Sequence, residues 1–352
     1  MKLVLIGDGQ SPHLLKWARA LAPELELWAA SSRGFTPEFE ALLPPERRYA
    51  MQADTRHGGG NIGVLKGLPA LGAWLAKVDA DWLHAHYLTS HGTLAWAARR
   101  GWRLRAQIVG SAWGSDILVT PQRHAIYRWL TRRVLRACAL TTSDSQHMAA
   151  RMQQLGAGEV MTFPFGLDAL PGPPPAKEPW RFFANRGLEP IYRPERVIAA
   201  FAAVASVQPE ARLVLANEGS LRAALQAQVA GLGLADRVEF VGRLNAAEQA
   251  AQYARARWYL SLPQSDSVAV SVLEAMSHQC LTLLSDLPAN HELLQPASGL
   301  ILREDEPPSG LPERLLLLAS ADGTVNRAWV AEHALFAPAV RRFLNRLQAL
   351  SS

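Results

Sequence analysis

The chain has 352 residues, 49% of them hydrophobic and 19% charged, a balance that builds cores and excludes a largely disordered protein. At this length a single core stops growing, so two domains are expected. Two cysteines, Cys138 and Cys280, exclude a disulfide framework or a cysteine-zinc cluster. The apolar run after Met1 and Lys2 ends at Gly7, too short for a signal peptide. No apolar stretch approaches the ~20 residues that span a bilayer, and a cytoplasmic protein is expected. The net charge is +5 and uneven: residues 1–170 hold 19 Lys/Arg against 13 Asp/Glu, and residues 171–352 hold 17 against 18.

Short apolar runs alternate with longer helix-like segments along the whole chain, which predicts βα units and mainly parallel sheets. In the first half the predicted strands are 2–6, 25–30, 82–87, 106–111 and 139–142. In the second they are 181–184, 212–216, 237–241, 258–262, 281–284 and 299–302. The Pro-rich stretch 171–179 between the two sets suits a stiff interdomain linker. The expected fold is therefore α/β: two Rossmann-like domains facing across a cleft, over 1–170 and 178–336. A basic helical segment, 337–352, is expected to return and pack on the first. In such sheets ligands sit beyond the carboxyl ends of the strands, where the strand order reverses, so chemistry is expected in the segments that follow each strand.

The first strand runs into Gly7, Asp8, Gly9, Gln10, Ser11, Pro12 and His13, then a helix. Glycine here permits close backbone approach and a helix N-terminus offers N–H groups to an anion; a plain tight turn fits as well. Pro12 stands where the third glycine of a dinucleotide fingerprint belongs. The glycine-rich run 58–63 lacks the Lys-Ser/Thr of a phosphate loop and is read as a mobile loop. His84, His86 and His91 cluster around the third predicted strand, with His84 and His86 on one face. No acidic or sulfur partner stands near them in sequence, and no metal site is assigned. His124, Arg128, Arg132 and Arg136 recur every four residues as one helix stripe, opposite Ile126, Leu130, Val134 and Cys138. That stripe is either a solvated face or an attraction to anionic lipid headgroups. No nucleic-acid-binding motif appears, so nucleic acid is not an expected partner.

The second half carries more. After strand 181–184 come Arg186 and Arg193, where guanidinium forks can pair with diphosphate oxygens. After strand 258–262, Asp266 falls just before a helix, and Glu274 follows two turns later on nearly the same helix face. Amides near Ser267, Val268, Ala269 and Val270 would point at an anion, and a carboxylate farther in can accept from a ribose diol. Helix capping by Asp266 with a surface Glu274 is the other reading.

Together these segments resemble glycosyltransferase family 4, the retaining enzymes of GT-B fold, over nearly the whole chain. The stretch from Asp266 to Glu274 resembles that family's acidic-x7-Glu motif. Leu273-Glu274-Ala275-Met276, Ser285-Asp286-Leu287-Pro288 and Phe165-Gly166-Leu167-Asp168 match further runs. Gly110 through Asp116 is similar to the His-Gly-Ser-Asp segment of the first domain, and Ser11-Pro12-His13 through Trp17 is similar to bacterial members. The resemblance implies that Arg186 binds the donor diphosphate, Glu274 the ribose and Asp266 the transferred sugar. It also implies that the backbone at Ser267, Val268, Ala269 and Val270 contacts sugar and phosphates, that Gly9 approaches the diphosphate, and that Gly219, Val241 and Arg243 line the nucleotide pocket. Trp113 and Asp116 are expected beside the donor sugar, and His13 and His86 on the acceptor side.

Three positions depart from the family pattern. Tyr192 occupies the place of the diphosphate lysine, so Arg193 would substitute; Trp113 replaces a common His; Val268 and Val270 replace glycines. The expected activity is metal-independent retaining hexosyl transfer from a UDP- or GDP-linked sugar to a glycan or lipid-linked acceptor, with peripheral contact to an anionic inner-membrane face. A nucleotide-sugar epimerase of the same architecture and an inactive nucleotide-sugar-binding protein are the alternatives.

Overall fold

The computed structural model describes residues 1–51 and 66–351; the glycine-rich run 58–63 lies outside them. The chain divides into two compact units, one formed by Met1–Phe163 with Ala337–Ser352 and one by Pro164–Phe336. In the first, strands β1 (Lys2–Gly7), β2 (Glu26–Ser31), β3 (Arg48–Ala50), β4 (Trp82–His86), β5 (Gln107–Ser111), β6 (Leu140–Ser143) and β7 (Val160–Thr162) form one sheet. Its order is β3-β2-β1-β4-β5-β6-β7, with every pairing parallel. Leu3, Val4, Leu5 and Ile6 are all fully buried, as expected of a strand covered by helices on both faces, where a continuous apolar run replaces alternation. The order reverses beside β1, between β1 and β4.

The second unit holds β8 (Glu178–Ala184), β9 (Arg212–Ala216), β10 (Val238–Gly242), β11 (Ala256–Ser261), β12 (Leu281–Ser285) and β13 (Gly299–Leu302). These form a parallel sheet in the order β10-β9-β8-β11-β12-β13, which reverses between β8 and β11. The proline-rich stretch expected as a linker belongs to this unit. Pro171 O accepts from Arg327 Nη2 at 2.7 Å, and Pro179 is already the second residue of β8. A strand tolerates proline where the ladder is interrupted, and the β8–β11 register shifts between Ala256 and Trp258, beside that residue. The carbonyl of Pro179 accepts from Trp258 Nε1 at 2.9 Å.

The stretches entering and leaving the second unit are tied to each other. Leu167 N donates to Ala334 O and Phe336 N to Leu167 O, both at 2.8 Å. A Cβ on Gly166 would lie 1.8 Å from Ala334 O, so only glycine allows that approach. This gives the Phe165-Gly166-Leu167-Asp168 run a mechanical reason. Beyond it the helix Phe336–Ser351 buries Ala339, Val340, Phe343 and Leu347, the three-to-four spacing of one helix face. Phe343 meets Trp17 at 5.1 Å and His84 at 5.2 Å between ring centroids. Arg346 grips Glu159 through two hydrogen bonds, of 2.7 and 2.5 Å. Among the described residues no helix is long and apolar enough to cross a membrane.

The first unit carries polar groups in its core. His84 Nε2 lies 2.7 Å from Ser111 Oγ, which lies 2.6 Å from Thr142 Oγ1, a chain across β4, β5 and β6. His91 Nδ1 lies 2.9 Å from the carbonyl oxygen of His86. Burial holds His84 down at about 3. Burial likewise lowers His91, to about 4, against the opposing pull of the His86 carbonyl and Asp8. Both are neutral in the fold and take up protons near 6.5 when unfolded, so their contribution is complete above that value and is lost as pH falls below it. Each is expected to remove about 2 kcal/mol of stability between pH 7 and pH 5. Urea unfolding at the two pH values tests this, with the drop reduced in His84→Gln. A second expectation follows from the closing helix: Phe343→Ala should cost about 3–5 kcal/mol in the same unfolding measurement at pH 7.

Candidate functional site

The reversal between β8 and β11 places two loops side by side, and each delivers a charge. Arg186 follows β8 and Asp266 follows β11. Arg186 Nη2 donates to Asp266 Oδ2 at 2.5 Å and its Nη1 to Ser271 Oγ at 3.3 Å, while its guanidinium lies 4.5 Å from the centroid of the Tyr192 ring. Burial raises the Asp266 carboxyl, with Arg186 and the Ser267 amide pulling it back down. Burial also works against the charged Arg186, but Asp266 and the surrounding tyrosine hydroxyls outweigh it and leave the guanidinium raised. The ion pair is therefore fixed in a half-buried setting where charges interact far more strongly than in water.

Beneath it runs a buried network. Asn185 Nδ2 donates to Tyr253 Oη and to Gln249 Oε1, and Asn185 Oδ1 accepts from Tyr259 Oη, each at 2.7 Å. Tyr253 Oη in turn donates to Glu274 Oε2 at 2.9 Å. Burial pushes both tyrosine hydroxyls upward, so they remain donors. Arg186, Asp266 and Glu274, singled out separately in the sequence, thus meet around Ser271 and Tyr253. Their route differs from the expected one. The helix spans only Val270–Ser277, with Ala269 as its N-cap and no side-chain cap bond. Asp266 lies ahead of the helix and does not share a helical face with Glu274. It does not cap the helix either: its Oδ1 accepts from Ser267 N at 3.0 Å. Ser267 and Ala269 are buried, with Val268 and Val270 half-buried, and no side chain caps the start of the helix.

The other predicted positions of this unit vary. Gly219 presses on the chain just after Arg186, where a Cβ would lie 2.3 Å from Leu188 O. Val241 is half-buried at the end of β10 and Arg243 lies just beyond it, two strands from β8. Arg193 adopts a left-handed backbone, φ 49°, ahead of the helix Pro194–Ala205, and its guanidinium pairs with Glu304, beyond the end of β13.

In the first unit the carboxyl edge around β1 and β4 gathers Gly9, His13, His86, Trp113 and Asp116. A Cβ on Gly9 would lie 2.4 Å from Gly34 O, and Gly9 N donates to Ser31 Oγ at 2.8 Å, so the turn requires glycine for packing alone. His13 packs against Trp113 with centroids 4.5 Å apart, and burial followed by Lys16 lowers its pKa. Trp113 Nε1 donates to His86 Nδ1 at 3.1 Å, and burial holds His86 well below its usual value. Asp116 braces two backbone amides, since its Oδ1 accepts from Trp113 N at 2.9 Å and its Oδ2 from Leu88 N at 2.8 Å. Burial raises its carboxyl to about 6 against those two amides. Among the described residues no group of three or more His, Cys, Asp or Glu is placed to hold a metal ion.

Sequence reasoning missed Asn185, Tyr253, Tyr259 and Ser271. Asn185 adjoins a residue already chosen, but the tyrosines come from a distant helix and from within β11, with no local pattern to mark them.

Residues 2–145 match a family model described as glycosyl transferase 4-like, and residues 172–319 one described as glycosyl transferases group 1. No curated protein sequence matches the chain. Solved structures do. Sucrose-phosphate synthase from Thermosynechococcus elongatus superposes with a TM-score of 0.78 at 16% identity, covering 99% of this chain and 100% of that one. HepE from Anabaena, solved with UDP, gives 0.76 at 14% identity over 99% and 100%. The lipopolysaccharide outer core galactosyltransferase WaaB gives 0.69 at 16% identity over 96% of each chain. With the two family models covering most of its length in that order, and two parallel-sheet α/β domains of the GT-B fold, the chain belongs to the glycosyltransferases.

Proposed function

We propose that this glycosyltransferase moves a sugar from a nucleoside diphosphate sugar, UDP- or GDP-linked, to a glycan or lipid-linked acceptor, with retention at the anomeric carbon. The observation that carries the reading is the Arg186 guanidinium held against Asp266 and Ser271 at the strand-order reversal of the second unit. HepE was solved with UDP and with UDP-glucose, which supports uridine as the first base to try. The resemblance to family 4 supports retention.

In this reading the diphosphate lies between Arg186 and the amides of Val268, Ala269 and Val270, where the opening helix adds its dipole. Glu274, oriented by Tyr253, takes the ribose diol. Asp266, still paired with Arg186, accepts from a hydroxyl of the transferred sugar through a remaining lone pair, and Arg186 offers its remaining N–H groups to phosphate. Gly219, Val241 and Arg243 line the base, and Arg193 adds charge when released from Glu304. In the first unit His13 stands on the acceptor side and Trp113 beside the donor sugar, with His86 buried behind Trp113. The bond from the anomeric carbon to the diphosphate oxygen breaks, the acceptor oxygen bonds to that carbon on the same face, and the leaving diphosphate takes the acceptor proton. Arg186 and the amides stabilise the departing charge in the place a metal ion would otherwise take.

Removing one preorganised donor of this kind lowers turnover by about 10²–10³. Arg186→Ala is therefore expected to lose that much kcat with UDP-sugars, while Arg186→Lys recovers part of it and excess EDTA leaves the parent rate unchanged. Steady-state assays of nucleoside diphosphate release, with the product anomer read by NMR, make the test. Full turnover in Arg186→Ala would remove this residue from the mechanism, and an inverted product would remove retention.

A further inference from the structure

Between His86 and Ser143 the sequence contains nine arginines, no lysine and one acid, Asp116, which is buried against backbone amides. Four of these arginines project from the helix Ala125–Ala137. Its inner side is fixed: Thr131, Val134 and Leu135 are buried, and Thr131 Oγ1 donates to Tyr127 O at 2.8 Å. The sequence pattern placed Ile126 on the apolar side, yet it is 64% exposed, and Trp129 is 51% exposed. Ile126, Trp129 and Arg133 therefore continue one outward face, three and four residues apart. Arg128, Trp129, Arg132, Arg133 and Arg136 surround an open hollow of about 290 Å³, with the Arg133 guanidinium 5.4 Å from the Trp129 ring centroid. Among the described residues none of these four arginines has a carboxylate partner.

Surface arginines normally sit among acids. Here like charges crowd together, which costs energy unless something negative neutralises them. A large exposed indole and an exposed isoleucine beside them gain little from water. Phosphate-bearing headgroups above an apolar interior match both features at once: guanidinium forks pair with phosphate, and tryptophan and aliphatic side chains settle at the boundary. A soluble polyphosphate or a nucleic acid would satisfy the arginines but leave Ile126 in water. The apolar pair also lies at the N-terminal end of the helix. In a β5–helix–β6 crossover that end meets the carboxyl edge of the sheet.

We propose that the outward face of the helix Ala125–Ala137 is a docking surface for an anionic lipid bilayer, with Ile126 and Trp129 entering the interface and Arg128, Arg132, Arg133 and Arg136 holding headgroup phosphates. This surface belongs to the first unit and does not rest on the reading of the donor site in the second.

Sedimentation of the full chain with vesicles of phosphatidylcholine alone, and of phosphatidylcholine with phosphatidylglycerol, tests this. Binding to the anionic vesicles, little to the neutral ones and weakening with added salt are expected. The paired substitution Arg132→Glu with Arg133→Glu should weaken binding about tenfold or more. Trp129→Ala, at an exposed position, should weaken it at low and high salt alike. Circular dichroism and nucleoside diphosphate release by the same variants check that they remain folded. Equal binding to neutral and anionic vesicles, anionic binding unchanged in the variants, or displacement from vesicles by duplex DNA at equivalent phosphate would each overturn the proposal.

Discussion

Arg186 is held on three sides, by the Asp266 carboxylate, the Ser271 hydroxyl and the face of Tyr192, and the rest of the second unit is arranged to keep it there. The sheet order brings the ends of β8 and β11 together, which no local sequence feature could do. Asn185, adjacent along the chain, is fixed by Tyr253, Tyr259 and Gln249, so the backbone carrying Arg186 has little freedom. The same Tyr253 hydroxyl then reaches Glu274. One buried network therefore sets the positions of the positive charge and of both carboxylates. Catalysis by electrostatic preorganisation depends on that kind of support, because donors already aimed at the site of charge development need not reorganise when the bond breaks.

The two units meet their polar demands in different ways. In the second, buried hydroxyls and an amide are paired through to an ion pair. In the first, neutral imidazoles lie in the core: His84, His86 and His91 are each nearly fully buried, and His84 is tied sideways to Ser111 and Thr142. Burial suppresses their charge, which makes this unit acid-sensitive by construction. On its outer surface the helix Ala125–Ala137 carries arginines that have no carboxylate partner among the described residues, around an exposed indole. The closing helix, joined through Phe343 to Trp17 and His84, makes the integrity of that core depend on the last residues of the chain.

Much of the fold is legible in the sequence because fully buried parallel strands write themselves as apolar runs. Leu3 to Ile6 announce β1 without any partner being known. β3 and β7 escape because three residues at a sheet edge are too short for a period. The proline run at 171–179 suggests a linker on composition alone. In the fold Pro179 sits in β8 at a register shift, a tertiary accommodation that composition does not carry. At the site, Arg186, Asp266 and Glu274 are legible from spacing and from family resemblance, but the expected reason for their convergence is misplaced. Asp266 reaches Arg186 from an irregular stretch, not from the helix that holds Glu274. Asp116 shows the opposite limit, since a motif match says nothing about which groups its oxygens already serve.

We propose that the Arg186–Asp266–Glu274 constellation holds a nucleoside diphosphate. Calorimetric titration of UDP and GDP into the parent chain, Arg186→Gln and Glu274→Gln tests it directly. One of the nucleotides should bind the parent saturably, and each substitution should weaken it by about tenfold or more, some 1.4 kcal/mol. Binding of the same strength in the parent and both variants would place the nucleotide away from these three residues.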